Sequence, residues 1–303
     1  MSQVLPLASE FLDIELFSRL SSLELQAKYL VNGFLSGLHK SPFQGSSVEF
    51  KEFRDYQPGD ELKLIDWKVY ARTDRLHVRL REEETNMTVY LLVDSSASMN
   101  YKGPKAVMSK WDYARALAAA FLIFLSRQRD SAALGFLGAE LEDFVRGRSS
   151  PAHYHQLMGK LHRNADSPIS RLAEAMRPLP NLVRRRSIVI VFSDFYESAE
   201  KLESSVSFLQ HLNCEVIFFH IMDPSELDFD FDYPIRMQEL ETGESITINP
   251  DALRDDYLKN MKKHTASISE MLMGLGGDYL LLRTDEVPTR ALGEYLAKRS
   301  AMS

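Results

Sequence analysis

Thr88-Val89-Tyr90-Leu91-Leu92-Val93-Asp94-Ser95-Ser96-Ala97-Ser98-Met99 is the stretch on which the reading of this chain turns. An uncharged, β-prone run carrying the branched Val89, Leu91 and Val93 fits a strand buried on both faces. It stops at a carboxylate, and hydroxyls follow at the second and fourth residues after it. In open α/β sheets the crevice at the carboxyl edge of the strands is where ligands bind. Three closely spaced oxygens, with only Asp94 charged, suit a hard divalent cation such as Mg²⁺. The competing reading is a helix N-cap, in which Ser96 or Ser98 satisfies free N–H groups of the next helix.

Outward from that strand the pattern recurs. Ser187-Ile188-Val189-Ile190-Val191-Phe192-Ser193 is a second fully buried strand, and it too ends at a carboxylate, Asp194. If the two strands are sheet neighbours, Asp94 and Asp194 share one edge. Between them, Ala114, Leu117 and Phe121 recur at helical period and predict a helix from about Ser109 to Arg127, with Ser109 as its cap. Its run Ala116–Leu125 is too short to span a bilayer and reads as part of an amphipathic helix. Residues 131–137 and 141–145 read as a hairpin turning at 138–140. Helices are expected at about 152–163 and from near Ser170 to before Pro178. Beyond Asp194 come a helix at 198–212, a strand at 215–221 and a β-rich excursion at 222–249. The part of that excursion at 224–234 reads as irregular loop. A helix at about 251–274, a strand at 278–283 and a final helix complete the chain. Strands alternating with helices predict an α/β fold: a doubly wound, mainly parallel sheet with one antiparallel edge strand.

The N-terminal part has a different texture. Residues 12–36 read as one or two helices behind the capping box Ser21-Ser22-Leu23-Glu24, with Gly33 and Gly37 weakening and stopping them. Short β-like segments and turns follow from Gly45 to Arg81, including a strand alternating Leu76, Val78 and Leu80 with His77 and Arg79. The expected division is a helical and β-rich extension at 1–86 packed on a main domain at 87–303.

Composition bounds the function. The 303 residues are 45% hydrophobic and 26% charged, ample for a core, and the net charge of −7 argues against a nucleic-acid binder with a broad basic face. Arg184-Arg185-Arg186 reads as a solvated strand entrance. One cysteine, Cys214, excludes an internal disulfide and a multi-cysteine zinc site. No secretory leader or membrane span is evident, so the expected compartment is the cytoplasm. The histidines suggest no ligand pairing: His153 and His155 would face different sides of a helix, while His155 and His162 stand about 10 Å apart along one.

Asp94-x-Ser96-x-Ser98 after one strand, a hydroxyl opening a later helix in Ser170-Arg171-Leu172-Ala173-Glu174, and Asp194 after another strand resemble the metal-ion-dependent adhesion site of the von Willebrand factor A fold. The resemblance implies a von Willebrand factor A-like, Rossmann-like domain. It also implies Mg²⁺ or Mn²⁺ held by Asp94, Ser96, Ser98, Ser170 and Asp194, before or only upon arrival of a partner. Ser170 stands where that pattern has threonine, and Asp166 and Ser167 compete for its role. Such a site leaves its cation under-neutralised, so an open position attracts a partner's carboxylate: binding, not catalysis.

Flanking blocks narrow the resemblance. Gly37-Leu38-His39-Lys40-Ser41, Arg54-Asp55-Tyr56-Gln57-Pro58-Gly59-Asp60, Ile65-Asp66-Trp67-Lys68-Val69-Tyr70-Ala71-Arg72, Met222-Asp223-Pro224-Ser225-Glu226 and Leu240-Glu241-Thr242-Gly243-Glu244 resemble domain-of-unknown-function family 58. That family is bacterial and often encoded beside MoxR-type AAA+ ATPases, which implies a non-catalytic adaptor or partner of such an ATPase. The block around Trp67 reads either as a binding surface anchored by Trp67 or as a turn-rich β layer held by internal ion pairs.

The reading from another class is a Mg²⁺-dependent phosphohydrolase of haloacid dehalogenase type with Asp94 as nucleophile. That chemistry wants a second Asp two residues on, where this chain has Ser96, a poor proton donor and acceptor for the task. A serine hydrolase would need a Gly-x-Ser-x-Gly elbow, which neither Ser96 nor Ser98 occupies.

Overall fold

A computed structural model describes residues 13–40, 53–55, 77–79, 87–168, 171–231, 235–238, 245–248, 250–289 and 291–293. The chain divides into residues 1–37 with 87–303, and residues 38–86. Within the second unit, strands β1 (Phe53–Asp55) and β2 (His77–Arg79) pair antiparallel, with Phe53 opposite Arg79. The block around Trp67, on which the sequence left two readings open, lies outside the described residues.

In the first unit, β3 (Thr88–Asp94) is buried along its whole length. Its odd-numbered Val89, Leu91 and Val93 enter one hydrophobic core and Tyr90 and Leu92 enter another, as period-2 alternation requires of a strand covered on both faces. The sheet also contains β4 (Ser131–Leu137), β5 (Leu141–Arg148), β6 (Ile188–Ser193), β7 (Glu215–Met222) and β10 (Asp278–Arg283), in the order β10-β7-β6-β3-β4-β5. All neighbours are parallel except β4 and β5. This is the expected doubly wound sheet with one antiparallel edge. From β3 the chain moves outward through β4 in one direction and through β6, β7 and β10 in the other, so β3 and β6 flank the topological switch point.

Helices cover both faces. One layer is built from α1 (Ile14–Arg19), α2 (Leu23–Lys40), α3 (Lys110–Gln128) and α4 (Pro151–Lys160). Phe17, Ala27, Leu30, Phe121 and Leu157 from these helices share one core with Ile190, Phe192 and Phe219 of the sheet. The opposite layer holds the short α5 (Leu172–Met176) and α6 (Leu179–Leu182), then α7 (Ala199–His211). After α8 (Pro224–Asp228) and an antiparallel pair, β8 (Ile235–Gln238) with β9 (Ser245–Ile248), α9 (Pro250–Gly274) completes it. Among the described residues, no helix is long and apolar enough to cross a membrane.

Several elements differ from the sequence expectation, each for a physical reason. Helix α2 continues through Gly33 and Gly37 to Lys40, since a glycine costs a helix interior about 1 kcal/mol without forbidding it. Helix α1, and α2 as far as Gly37, belong to the same unit as residues 87–303. Helix α3 is buried further round than the rest of its layer. Trp111, Tyr113, Ala114 and every residue from Ala116 to Leu122 are buried, while the partly or fully exposed Asp112, Arg115, Ile123, Ser126 and Arg127 share one outer face. Within 224–234, expected to be irregular, residues 224–228 are helical. Asp223 accepts from Ser225 N–H while Glu226 accepts from Asp223 N–H, a capping box with Pro224 at the first helical position.

Strand β5 forms the antiparallel edge and is not a straight one. Its register against β4 shifts twice, between Ala132 and Leu134 and again between Leu134 and Phe136. Asp143 sits at φ 48°, and its carboxylate takes Lys160 at 2.9 Å and Arg163 at 3.2 Å. The Arg184–Arg186 run is exposed at the entrance to β6, as expected.

Candidate functional site

Register explains why two strands build one site. With Val93 opposite Phe192, the next residues along the parallel strands, Asp94 and Ser193, stand side by side. Ser193 Oγ donates to Asp94 Oδ2 at 2.5 Å, and Ser96 N–H donates to Oδ1 at 2.9 Å. Asp94 and Ser96 are fully buried. Burial, and next the charge of Asp194, push the Asp94 carboxyl up to about 7, against the bonds from Ser193 and Ser96 that favour its anion.

After Asp94 the chain enters a 3₁₀ turn, Ala97–Asn100, in which Ser96 occupies the N-cap position without a side-chain cap bond. The next α-helix is capped instead by Ser109, whose Oγ accepts from Asp112 N–H at 3.1 Å. Ser96 and Ser98 are therefore not spent as caps. Their hydroxyls are hydrogen-bonded to each other, with the oxygens 3.0 Å apart. Adjacent ligands of an octahedral Mg²⁺ bound at 2.0–2.1 Å are also about 3 Å apart. Among the described residues, no group of three His, Cys, Asp or Glu side chains could hold a metal, so a cation here would depend on hydroxyls. A desolvated carboxyl beside a second carboxylate and a hydroxyl pair at an octahedral edge length fit a hard divalent cation.

Asp194 follows the last residue of β6 and is 1% exposed. The chain then turns through Phe195 at φ 45°, a left-handed conformation disfavoured for a bulky residue. It is held by packing and hydrogen bonds. The Phe195 ring stacks on Phe218 at 4.3 Å, its N–H donates to Ser193 Oγ at 2.9 Å, and its carbonyl oxygen lies 2.7 Å from His264 Nε2. This turn carries the backbone away from the sheet immediately after Asp194.

The middle element divides. Ser170 lies outside the described residues. Ser167 is buried, and its backbone is bridged to the 94–98 loop: its N–H donates to Ser95 O at 3.1 Å, and Ala97 N–H donates to its carbonyl at 2.9 Å. Ser167 Oγ accepts from Ala139 N–H at 3.2 Å. Asp166 instead has a side chain 72% exposed and pairs with Arg163 at 3.0 Å. Of these two alternatives, only Ser167 is joined to the loop that carries Ser96.

Sequence reasoning missed four members of this neighbourhood: Ser193, Lys110, Glu226 and Tyr196. Ser193 reaches Asp94 only through strand register. Lys110, at the start of α3, is 0% exposed, and its Nζ donates to Asp194 Oδ2 at 2.8 Å and to Glu226 Oε1 at 2.7 Å. Burial works to lower the Lys110 pKa, but the two carboxylates outweigh it and hold the ammonium above its ordinary value. The Tyr196 hydroxyl donates to the same Glu226 oxygen at 2.7 Å. A lysine in the first turn of a helix runs against the macrodipole, and that was the available signal.

A second buried network supports the loop after Met99. Gly103 N–H donates to Asp223 Oδ2 at 2.8 Å, and the Tyr101 hydroxyl lies 3.0 Å from Ser225 Oγ. A Cβ on Gly103 would collide with both the Asp223 carboxylate and the Ser225 hydroxyl. Both are short side chains with little room to move, so Gly103→Ala is expected to destabilise the fold by about 1–3 kcal/mol, read as a lowered urea midpoint.

An uncharacterized protein of Mycobacterium tuberculosis is 29% identical over 297 residues, covering 95% of this chain and 90% of that one. The uncharacterized protein YeaD of Bacillus subtilis is 26% identical over 139 residues, 45% of this chain and 32% of its own. Among solved structures, the conserved hypothetical protein BatB of Bacteroides thetaiotaomicron is similar with a TM-score of 0.47 at 13% identity, over 71% of this chain and 99% of that one. The SpRpn10 VWA domain gives 0.37 at 11% identity, over 67% and 89%. The model of the family described as protein of unknown function DUF58 matches residues 52–267, well over half of the sequence, and the chain belongs to that family.

Proposed function

We propose that this chain is a non-catalytic, metal-dependent protein-interaction module. The observation that carries the reading is the convergence of Asp94, Ser96, Ser98 and Asp194 at the switch point between β3 and β6, where α/β sheets bind ligands. A divalent cation held by the Ser96 and Ser98 hydroxyls, with Asp94 and Asp194 as its anionic neighbours, would offer a partner's carboxylate a coordination position. The chain's own residues do the rest. Ser193 and the Ser96 N–H fix the Asp94 carboxylate, and Ser167 ties down the loop that carries the hydroxyls. Ser170 is the proposed third hydroxyl, with Ser167 as its alternative. The partner class we favour is a MoxR-type AAA+ ATPase, following the family resemblance, with this chain as its adaptor in the cytoplasm.

The test is calorimetric titration of Mg²⁺ and Mn²⁺ into metal-stripped protein. It is paired with binding of the MoxR-type ATPase from the same organism in Mg²⁺ and in EDTA. Saturable cation binding is expected in the wild type and its loss in Asp94→Ala, with ATPase binding weakened at least about tenfold by either EDTA or the substitution, the loss of about 1.4 kcal/mol. Equal ATPase affinity for Asp94→Ala and wild type in Mg²⁺ would refute the reading. The phosphohydrolase alternative gains nothing from the geometry, since both Asp94 oxygens are engaged, the residue is fully buried, and a serine stands at the acid/base position.

A further inference from the structure

The Lys110 side chain does not cap its own helix. Ser109 supplies the cap of α3, and an ammonium at a helix N-terminus is opposed by the macrodipole. Burying it also strips its hydration, a cost that only close opposite charge offsets. Its position is therefore explained by what it touches. Nζ lies 2.8 Å from Asp194 Oδ2 and 2.7 Å from Glu226 Oε1, and the Tyr196 and Tyr101 ring centroids are 4.9 and 5.7 Å away. One of the two carboxylates available to a cation at this site thus already has a permanent positive partner.

We propose that Lys110 is a tethered internal cation that sets the metal affinity of the site. By neutralising Asp194 it leaves an incoming divalent ion with Asp94, held only by hydrogen bonds from Ser193 and Ser96, as the one carboxylate of the pair without a cationic partner, beside neutral hydroxyls. The site is then weak toward free metal and loads firmly when an acidic partner supplies the missing negative charge. Glu226 tunes the effect by sharing the ammonium: the more Lys110 is held by Glu226, the more of the Asp194 charge reaches the site. Loading and partner capture become one event, which a site with two free carboxylates would not enforce.

This inference rests on the metal-dependent reading, and its test separates the two. Mg²⁺ and Mn²⁺ are titrated calorimetrically into the metal-stripped full chain as wild type, Lys110→Met, Glu226→Gln and Asp94→Ala, each checked for folding by circular dichroism. Removing the ammonium is expected to tighten Mg²⁺ binding at least about tenfold, because a like charge at short range in a poorly screened site is withdrawn. Glu226→Gln is expected to weaken binding several-fold, since the ammonium then settles on Asp194 alone. If Lys110→Met does not fold, Glu226→Gln carries the test by its opposite direction. Binding that is lost in Asp94→Ala yet unchanged or weaker in Lys110→Met, or tighter in Glu226→Gln, overturns the role of Lys110 and leaves the metal site standing. No saturable binding in any of the proteins overturns both.

Discussion

Phe121→Ala is expected to lower the unfolding free energy by about 3–5 kcal/mol, the range for an aromatic side chain removed from a packed core. Phe121 is fully buried on the inner face of α3. Its ring centroid lies 6.0 Å from that of Phe192 and 5.7 Å from that of Phe219, which are themselves 5.4 Å apart. These three rings wedge the helix against β6 and β7 two residues before Asp194. Because Phe192 and Phe219 belong to paired strands, neither can collapse into the vacated space without dragging its strand, so most of the cavity should persist. Phe121→Leu, which restores most of the volume, is expected to lose under half as much. Urea melts of the three proteins check this, and equal midpoints for Phe121→Ala and wild type would show that the rings do not pack as described.

His220 makes the second large effect one of pH. It lies on β7, fully buried, with Nδ1 2.7 Å from the Tyr279 hydroxyl and its ring between Phe195, His264 and Tyr279. Burial pushes its pKa down to about 3, with the nearby charge of Asp194 opposing the shift. Above the ordinary histidine value of 6.5 both folded and unfolded states hold a neutral ring, and the full stability is present. As pH falls below 6.5 the unfolded chain takes up a proton that the folded chain refuses, so stability is lost progressively until about pH 3. The whole window is worth roughly 4–5 kcal/mol, of which about 2–3 are gone by pH 4.5. His220→Gln removes the titrating ring, so its stability should fall less between pH 7 and 4.5 by about that amount. The difference between the two proteins is the quantity to measure, because other acid-sensitive groups cancel in it. Parallel losses in both would mean that the histidine is not held neutral.

How much of this was legible beforehand depends on the range of the interaction. The burial of β3 and β6 on both faces, and the carboxylate at the end of each, follow from local sequence, and the sheet bears out that α/β reading. The short helix after Met222 was written in Asp223-Pro224-Ser225-Glu226, an N-cap, a first-position proline and a third-position acid, but the surrounding Asp- and Phe-rich composition masked it. Lys110, 84 residues from Asp194 and 116 from Glu226, could not be joined to either by spacing. Neither could Ser193 be assigned to Asp94 before the strand register was known. The continuation of α2 past its glycines was not legible either, since a glycine lowers helix propensity by about 1 kcal/mol without deciding where the helix ends.

The irregular edge at β5 has a consequence for assembly. An outer strand whose ladder is interrupted twice, with the Asp143 carboxylate anchored to Lys160 and Arg163, is a poor template for another chain's backbone. Growth of the sheet by strand addition, the route to fibres and to β-augmented peptide complexes, is disfavoured on that flank. A partner approaching from there would have to be chosen by its side chains, not captured through its main chain.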